Sequence, residues 1–315
     1  MSLVRALARR YVFNFKRIVR GVARRVADPL PPLPATVEVS SDALATARII
    51  RGENHRPAIM VHGVLQRSGT RYIGQLLKLH PDLCVYPRAM VELPLLNSAP
   101  ELRIVQARFL AAFPPNRAGI GADDFLALFG ASFIAYIYGA VPAGNTAVFG
   151  MPDVSNLAYF AYMFPFELPL LLLRDGRDLV DSMVRTSLAM PFADACSRWN
   201  RGARIILEQQ KLHTDWRIFR YEDAVNDPRR FIEEVCAYCR IDAGRFPFDQ
   251  IAQVPVIGSS QLKRDGEVSW DPVPKPAGFE PIGRWRKWTP RQKTIFKRVC
   301  GQTLLDTGYA TNLDW

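Results

Sequence analysis

Two short stretches of this chain bring together residue types suited to gripping an anion. In the first, Gln66-Arg67-Ser68-Gly69-Thr70 forms a polar turn with a single glycine, and Arg67, Ser68 and Thr70 contribute one charge and two hydroxyls. Arg71 and Tyr72 follow at once. In the second, Arg174-Asp175-Gly176-Arg177-Asp178 is followed by Ser182, eight residues beyond Arg174. A guanidinium offers donors in a fixed fork that matches phosphate oxygens, so an Arg and a Ser converging on one spot make a compact phosphate clamp.

Both stretches sit where a fold can aim them. Ala58 to Leu65 is apolar apart from His62, which suits a strand buried on both faces of a parallel sheet. Ile73, Leu76 and Leu77 then fall at i, i+3, i+4, the spacing of a helix packing one face on that sheet. A strand, a tight loop and a helix N-terminus form an anion site, because free backbone N–H groups and the helix dipole point at one place. Likewise Leu170 to Leu173 reads as a central strand, and Leu179, Val180 and Met183 resume at helical spacing. Arg174 therefore sits at the carboxyl end of a buried strand, where open α/β sheets bind ligands. The first loop is not the phosphate-binding pattern GxxxxGK[ST], since no Lys follows Gly69 and Arg71 stands where a magnesium-binding hydroxyl is expected.

Together, RSGT at Arg67 to Thr70 and RDGRDxxxS at Arg174 to Ser182 resemble the two nucleotide signatures of sulfotransferases that use 3′-phosphoadenosine 5′-phosphosulfate, PAPS. Supporting matches follow in order: His80-Pro81-Asp82, Arg220-Tyr221-Glu222-Asp223 with Asp227-Pro228, Ser259-Ser260, and Gly283-Arg284-Trp285. The resemblance runs from Pro57 to the C-terminus. It implies a three-layer α/β/α fold with a central parallel sheet, and a first loop, Arg67 to Tyr72, holding the 5′-phosphosulfate. It further implies that Arg174 and Ser182 hold the 3′-phosphate, with Tyr221 near the nucleotide. Two positions depart from the family pattern. Met151 stands where many members carry a Lys that steadies the sulfuryl group, so Arg71, Arg67 or Arg88 must supply that charge. Gly278-Phe279 replaces part of an Arg-Lys-Gly triplet, which leaves Arg264, Arg284 or Arg286 to grip the 3′-phosphate.

Sulfuryl transfer needs a base for the acceptor's proton and positive charge for the departing phosphate. Glu92 is the candidate base, with Arg67 and Arg71 beside it in the catalytic set. His62 is the runner-up, although a histidine inside a buried strand is commonly a hydrogen-bonded core residue. His80 belongs to the turn that ends the first helix.

Composition narrows the class. At 315 residues and 49% hydrophobic content, the chain can bury one α/β domain with decorations. No apolar run reaches the ~18 residues of a membrane span. Cys84, Cys196, Cys236, Cys239 and Cys300 are odd in number and scattered, which argues against a disulfide framework and for a reducing, cytoplasmic setting. Cys236 and Cys239 form a CxxC, but it falls inside an amphipathic helix with no second pair, so buried structural thiols are expected. The net charge is +11, and eight basic residues precede the first acidic one, Asp28; removing those eight leaves +3. The body of the chain therefore gives no support to nucleic-acid binding.

In chain order, residues 1–28 place Leu3, Leu7, Tyr11, Phe15, Ile18 and Val22 on one helical face and most arginines on the other. Three readings stay open for this arm: a helix in an anionic membrane interface, a helix docked on its own domain or a second subunit, and an Arg-rich targeting presequence. Residues 29–56 read as a proline-rich linker and a short helical lead-in over Ser41 to Arg51, and 57–315 as the sulfotransferase domain. Leu102 to Phe113 and Asp123 to Ala140 have helical spacing and are expected to form a lid or acceptor wall. Thr146 to Gly150 and Trp216 to Phe219 read as strands, and Pro191 to Gln210 as a helix with Trp199 on its apolar side. Asp227 caps a further helix, Gly258 to Trp288 forms a flap, and Thr289 caps a final helix to Leu305.

The expectation is a PAPS-dependent sulfotransferase with a hydroxyl or amine acceptor, a carbohydrate or lipid at a membrane surface, and adenosine 3′,5′-bisphosphate as product. No metal is expected, because the sulfuryl group carries less charge than a phosphoryl group and no carboxylate pair stands out to hold one. Two rivals remain: a P-loop kinase or NTPase, and an inactive scaffold that keeps the fold at a membrane.

Overall fold

The computed structural model describes residues 36–85, 92–151, 153–186, 190–264 and 267–315, without the side chains of 263, 264 and 267. The arm over 1–28, the first part of the linker and Arg88 lie outside the described residues.

Five parallel strands form the centre: β1 (Ile59–Gly63), β2 (Leu83–Val85), β3 (Thr146–Met151), β4 (Leu168–Leu173) and β5 (Arg217–Arg220), in the order β2-β3-β1-β4-β5. Ile59 of β1 lies between Val148 and Leu168, and every residue of β1 and β3 is buried. That burial on both faces explains why these segments read as apolar runs without alternation. The residues still alternate between two cores. Ile59 and Val61 pack with α2 (Thr70–Leu77) and α9 (Pro228–Cys239), through Ile73, Leu76, Phe231 and Val235. Ala58 and Met60 face α6 (Gly176–Val184), α7 (Phe192–Leu212) and α10 (Pro290–Asp306) on the other side. Each fully buried Leu- or Phe-sized side chain contributes roughly 1.5–3 kcal/mol, so these two cores dominate the stability. The fold is three-layered α/β/α, as the sequence predicted.

Residues 36–56 belong to the same body. Ser40 caps α1 (Ser41–Arg51) and accepts the Ala43 N–H at 3.1 Å. Asp124, in α4 (Asp124–Tyr138), accepts the Ser40 N–H at 2.7 Å, and Arg51 forms a buried ion pair with Glu167 at 2.6 Å. The short helical lead-in expected over Ser41 to Arg51 is α1, and it packs against the domain expected to begin at residue 57. The helix expected over Leu102 to Phe113 spans α3 (Ala99–Ala112), begun by Pro100 in its first turn. Short helices α5 (Phe160–Met163) and α8 (Tyr221–Asn226) and a small hairpin, β6 (Lys263–Arg264) and β7 (Glu267–Val268), complete the chain. Among the described residues, no helix is long and apolar enough to cross a membrane.

The strand order creates the crevice. From β1 the chain moves out to β2 and back to β3, then crosses to β4 and β5. The helix after β1 therefore packs on one face of the sheet and the helix after β4 on the other. The carboxyl ends of β1 and β4 sit side by side with their loops diverging.

Candidate active site

The loop after β1 is shaped by two left-handed residues, Arg67 at φ 76° and Gly69 at φ 96°. A non-glycine residue in that region is uncommon, and a Cβ at Gly69 would run into the Tyr221 ring. Ser68 holds the loop closed: its buried hydroxyl accepts the Leu65 N–H at 3.1 Å and donates to the Leu65 carbonyl at 2.5 Å. The expected outward role of the Ser68 hydroxyl is thus replaced by an internal one, because the tight turn leaves Leu65 as its nearest partner. No side chain caps α2, so its first N–H groups are left for an incoming anion.

Arg174 emerges from β4 beneath this loop. Its guanidinium donates to the Arg67 carbonyl and the Pro281 carbonyl, both at 2.8 Å, and stacks on the Tyr221 ring at 4.3 Å. Its Nε is buried with no hydrogen-bond partner. Behind it, the Trp199 indole N–H donates to the Arg174 carbonyl at 3.1 Å, fixing the strand end.

Two further arginines reach the same pocket. Arg67 donates to the Ser182 hydroxyl at 3.3 Å and to the Gly258 carbonyl at 2.5 Å. Arg284 donates to the Ser260 hydroxyl at 2.8 Å, and Ser260 lies 3.2 Å from Ser182. Burial, then the charges of Arg174 and Arg284, push the Arg67 guanidinium down to about 10. Burial also lowers Arg284, with Asp181, 3.0 Å away, opposing. The charge of Arg174 weighs on both Arg67 and Arg284, and an anion bound among the three guanidiniums would relieve it.

Helix α6 also holds the segment that closes the pocket. Asp178 is fully buried and accepts the N–H groups of Gly283 and Arg284, each at 2.7 Å. Burial pushes the Asp178 carboxyl above its ordinary range, and these N–H groups pull it back. Of the three arginines proposed for the flap, Arg284 lines the pocket. Arg286 lies over Trp285 instead, and the Arg264 side chain is outside the described residues.

Glu92 reaches the pocket because it bridges to Gly150 at the end of β3, with the Leu93 N–H on the Gly150 carbonyl at 2.7 Å. Burial raises the carboxyl, while the Arg71 charge and the Thr70 hydroxyl draw it down. Arg71 lies 5.7 Å from the Trp270 ring and Arg67 5.9 Å from it. Tyr72 also lines the pocket and donates to the Ala224 carbonyl at 3.2 Å.

His62 is fully buried and edge-on to Phe160; burial pushes it down to about 3, so it stays neutral and away from the pocket. His80 accepts the Asp82 N–H and contacts the Asp242 carbonyl, the turn role expected of it. Met151 is buried in β3 opposite His62. Helices α3 and α4 contribute no residue to this pocket, which corrects the lid or acceptor wall expected there: their inner faces pack against α1 and the core.

The sulfotransferase family model matches residues 57–244, a range that holds both loops. The chain belongs to the sulfotransferase family. This sulfotransferase is 25% identical over 273 residues to Protein-tyrosine sulfotransferase 1 of Danio rerio, covering 80% of this chain and 72% of that one. Among solved structures it is similar to the sulfotransferase domain of the Synechococcus PCC 7002 olefin synthase, with 18% identity and a TM-score of 0.46 over 80% and 96% of the two chains. It is also similar to mouse sulfotransferase SULT7A1 complexed with PAP, with 12% identity and a TM-score of 0.42 over 86% and 91%.

Several residues of the sulfotransferase pocket escaped the sequence reading. Trp270, Lys275 and the run Val254 to Gly258 line it, yet a lone Trp in a proline-rich segment carries no local signal. Glu222 accepts the Asp175 N–H at 3.0 Å and the Tyr309 hydroxyl at 2.8 Å, bracing the loop after β4.

Proposed function

We propose that the chain transfers the sulfuryl group of PAPS to a hydroxyl or amine acceptor and releases adenosine 3′,5′-bisphosphate. The observation that carries this reading is the convergence of Arg67, Arg174, Arg284, Ser182 and Ser260 beside the uncapped start of α2. The donor set fits a nucleotide with phosphates at two positions. The Arg174 Nε without a partner and the lowered guanidiniums of Arg67 and Arg284 favour an anion on one side, and the α2 N–H groups favour a second.

When bound, PAPS supplies an activated sulfuryl group on a phosphate leaving group. Glu92 takes the proton from the acceptor as its oxygen or nitrogen bonds to sulfur. Arg67, the Thr70 hydroxyl and the first N–H groups of α2 receive the charge that gathers on the phosphate oxygen as its bond to sulfur breaks. Ser68 acts by holding the loop shut. Arg71, lying toward Glu92, supplies the charge that Met151 cannot. Arg174, Ser182 and Arg284 hold the 3′-phosphate, with Tyr221 beneath the nucleotide.

The similarity to a protein-tyrosine sulfotransferase adds a phenolic hydroxyl to the acceptor classes, beside carbohydrate and lipid hydroxyls. The basic arm, residues 1–27, favours an acceptor at an anionic membrane surface in a cytoplasmic, peripheral setting. Calorimetry without added metal tests the reading. Adenosine 3′,5′-bisphosphate is expected to bind in clear preference to AMP and ATP; a preference for ATP with magnesium would point to a kinase, and no binding of any of the three to folded protein would point to a scaffold.

A further inference from the structure

The outer surface of α3 and α4 carries a row of exposed and partly exposed aromatic side chains that the candidate active site does not use. Tyr136 contacts Phe133 with ring centroids 5.9 Å apart, and Phe133, Phe129 and Phe125 succeed one another at four-residue spacing along α4. Phe125 contacts Phe109 of α3 at 5.6 Å, and Phe113, where the chain leaves α3, is exposed four residues on. Phe113 is 60% exposed and Tyr136 66%, and Val105 and Phe109 are exposed beside them. From Phe125 to Asn145 the sequence has no Asp, Glu, Lys, Arg or His, so the outward face of α4 lacks the charges that normally solvate a surface helix.

We propose that this row is the face on which the chain lies on an anionic bilayer, with the aromatic rings at headgroup depth. The inference rests on the membrane part of the reading above and is independent of the chemistry. Charge selects the occupant. Exposed Arg108 and Arg117 lie at the C-terminal end of the α3 row, the exposed acid Glu101 at its far end, and the exposed Glu38 beside Asp123 at the start of α4. The arm, with eight basic and no acidic residues before Asp28, enters the described chain at Thr36, whose carbonyl accepts from Arg103 of α3 at 3.1 Å. Arg108 and Arg117 beside an aromatic row suit anionic headgroups. Two copies meeting through the same face would instead bring Arg108, Arg117 and both arms together. Aromatic rings with a polar edge, such as Tyr136, suit the boundary between headgroups and acyl chains.

The test is co-sedimentation of the full chain with phosphatidylcholine vesicles, with and without phosphatidylserine. Phe129→Gln with Tyr136→Gln changes exposed positions, and undisturbed binding of adenosine 3′,5′-bisphosphate verifies its fold. The full chain is expected to bind the phosphatidylserine vesicles, and the double variant to bind them roughly tenfold or more weakly. Absence of vesicle binding by the unaltered chain would overturn the proposal, as would equal binding by the variant when Arg9→Glu with Arg17→Glu abolishes it, since the arm would then act alone. A dimer in buffer that the double aromatic variant converts to monomer would assign the face to a second copy instead. Vesicle binding without bisphosphate binding would leave the surface standing and sink the sulfotransferase site.

Discussion

Asp178 makes no contact with the pocket interior, yet its loss is expected to weaken nucleotide binding through Arg284. The carboxylate is fully buried and receives two backbone N–H groups at 2.7 Å, from Gly283 and from Arg284 itself. Hydrogen bonds to a charged group contribute about 1.5–3 kcal/mol each, and raising the carboxyl by burial gives part of that back. Asp178→Ala should therefore cost on the order of 2–4 kcal/mol of stability. Arg284 then loses its fixed backbone, and the affected contact is one charge-assisted bond, so affinity for adenosine 3′,5′-bisphosphate should fall about 10- to 100-fold. Asp178→Asn keeps one acceptor and sets an amide N–H against a donor, giving an intermediate loss. Thermal unfolding and calorimetry on the same samples separate the two effects. In an Arg284→Ala background, Asp178→Ala should remove little further affinity while still lowering the melting temperature. A stability loss with unchanged bisphosphate affinity in the otherwise unaltered chain would refute the reasoning.

Arg174→Lys should fail to restore the affinity lost in Arg174→Ala, because a lysine cannot span the Arg67 and Pro281 carbonyls together; equal affinity of Lys and Arg forms in calorimetry would count against the fork. Gly69→Ala should destabilise the loop by roughly 1–3 kcal/mol and reduce bisphosphate binding, since φ 96° and the Tyr221 ring both oppose a Cβ; wild-type affinity would show that the loop relaxes freely. Burial, opposed by Arg174, pushes Glu222 up to about 7, so the folded state holds a proton that the unfolded chain releases near pH 4.5. Stability from this group is full below about pH 4.5 and falls as pH rises to about 7, by on the order of 2 kcal/mol after solvent screening of a half-buried carboxyl; Glu222→Gln should flatten that slope in denaturant titrations, and an unchanged slope would assign it elsewhere.

The loops after β1 and β4 were legible because their signals are local. A buried strand ending at a polar turn, followed by helical spacing, fixes where Arg67, Arg174 and Ser182 stand, and the structure places Ser182 against Arg67 across the crevice. Contacts that join distant segments left no such trace. Asp178 meets Gly283 across 105 residues and Glu222 meets Tyr309 across 87, and a lone acid in a helix reads the same whether it is solvated or holds a backbone turn. Ser68 shows a different gap: a short hydroxyl in a tight turn can face outward or fold back on Leu65, and only the left-handed turn at Arg67 and Gly69 decides. For α3 and α4, periodicity gave the helices but not their neighbours, because α4 is apolar on nearly every side. The inward side went to the core, and the outward side stayed exposed rather than covering the pocket.

Helix α6 does two tasks with one turn spacing. Ser182 and the Arg174 strand end contribute to the pocket, while Asp178 and Asp181, one turn apart, hold Gly283 and Arg284 over it. The family match ends at residue 244, so the walls that close the site, from Val254 to Arg284, lie beyond the matched part and are fastened to it by α6, Arg67 and Arg174. A ligand touching both parts adds links between them, and stabilises the folded chain by about 2.7 kcal/mol at a hundredfold excess over its Kd. Arg174 bonds the Pro281 carbonyl and Arg67 the Gly258 carbonyl, so the closing segment is tied to both loops of the matched part by arginines that line the pocket.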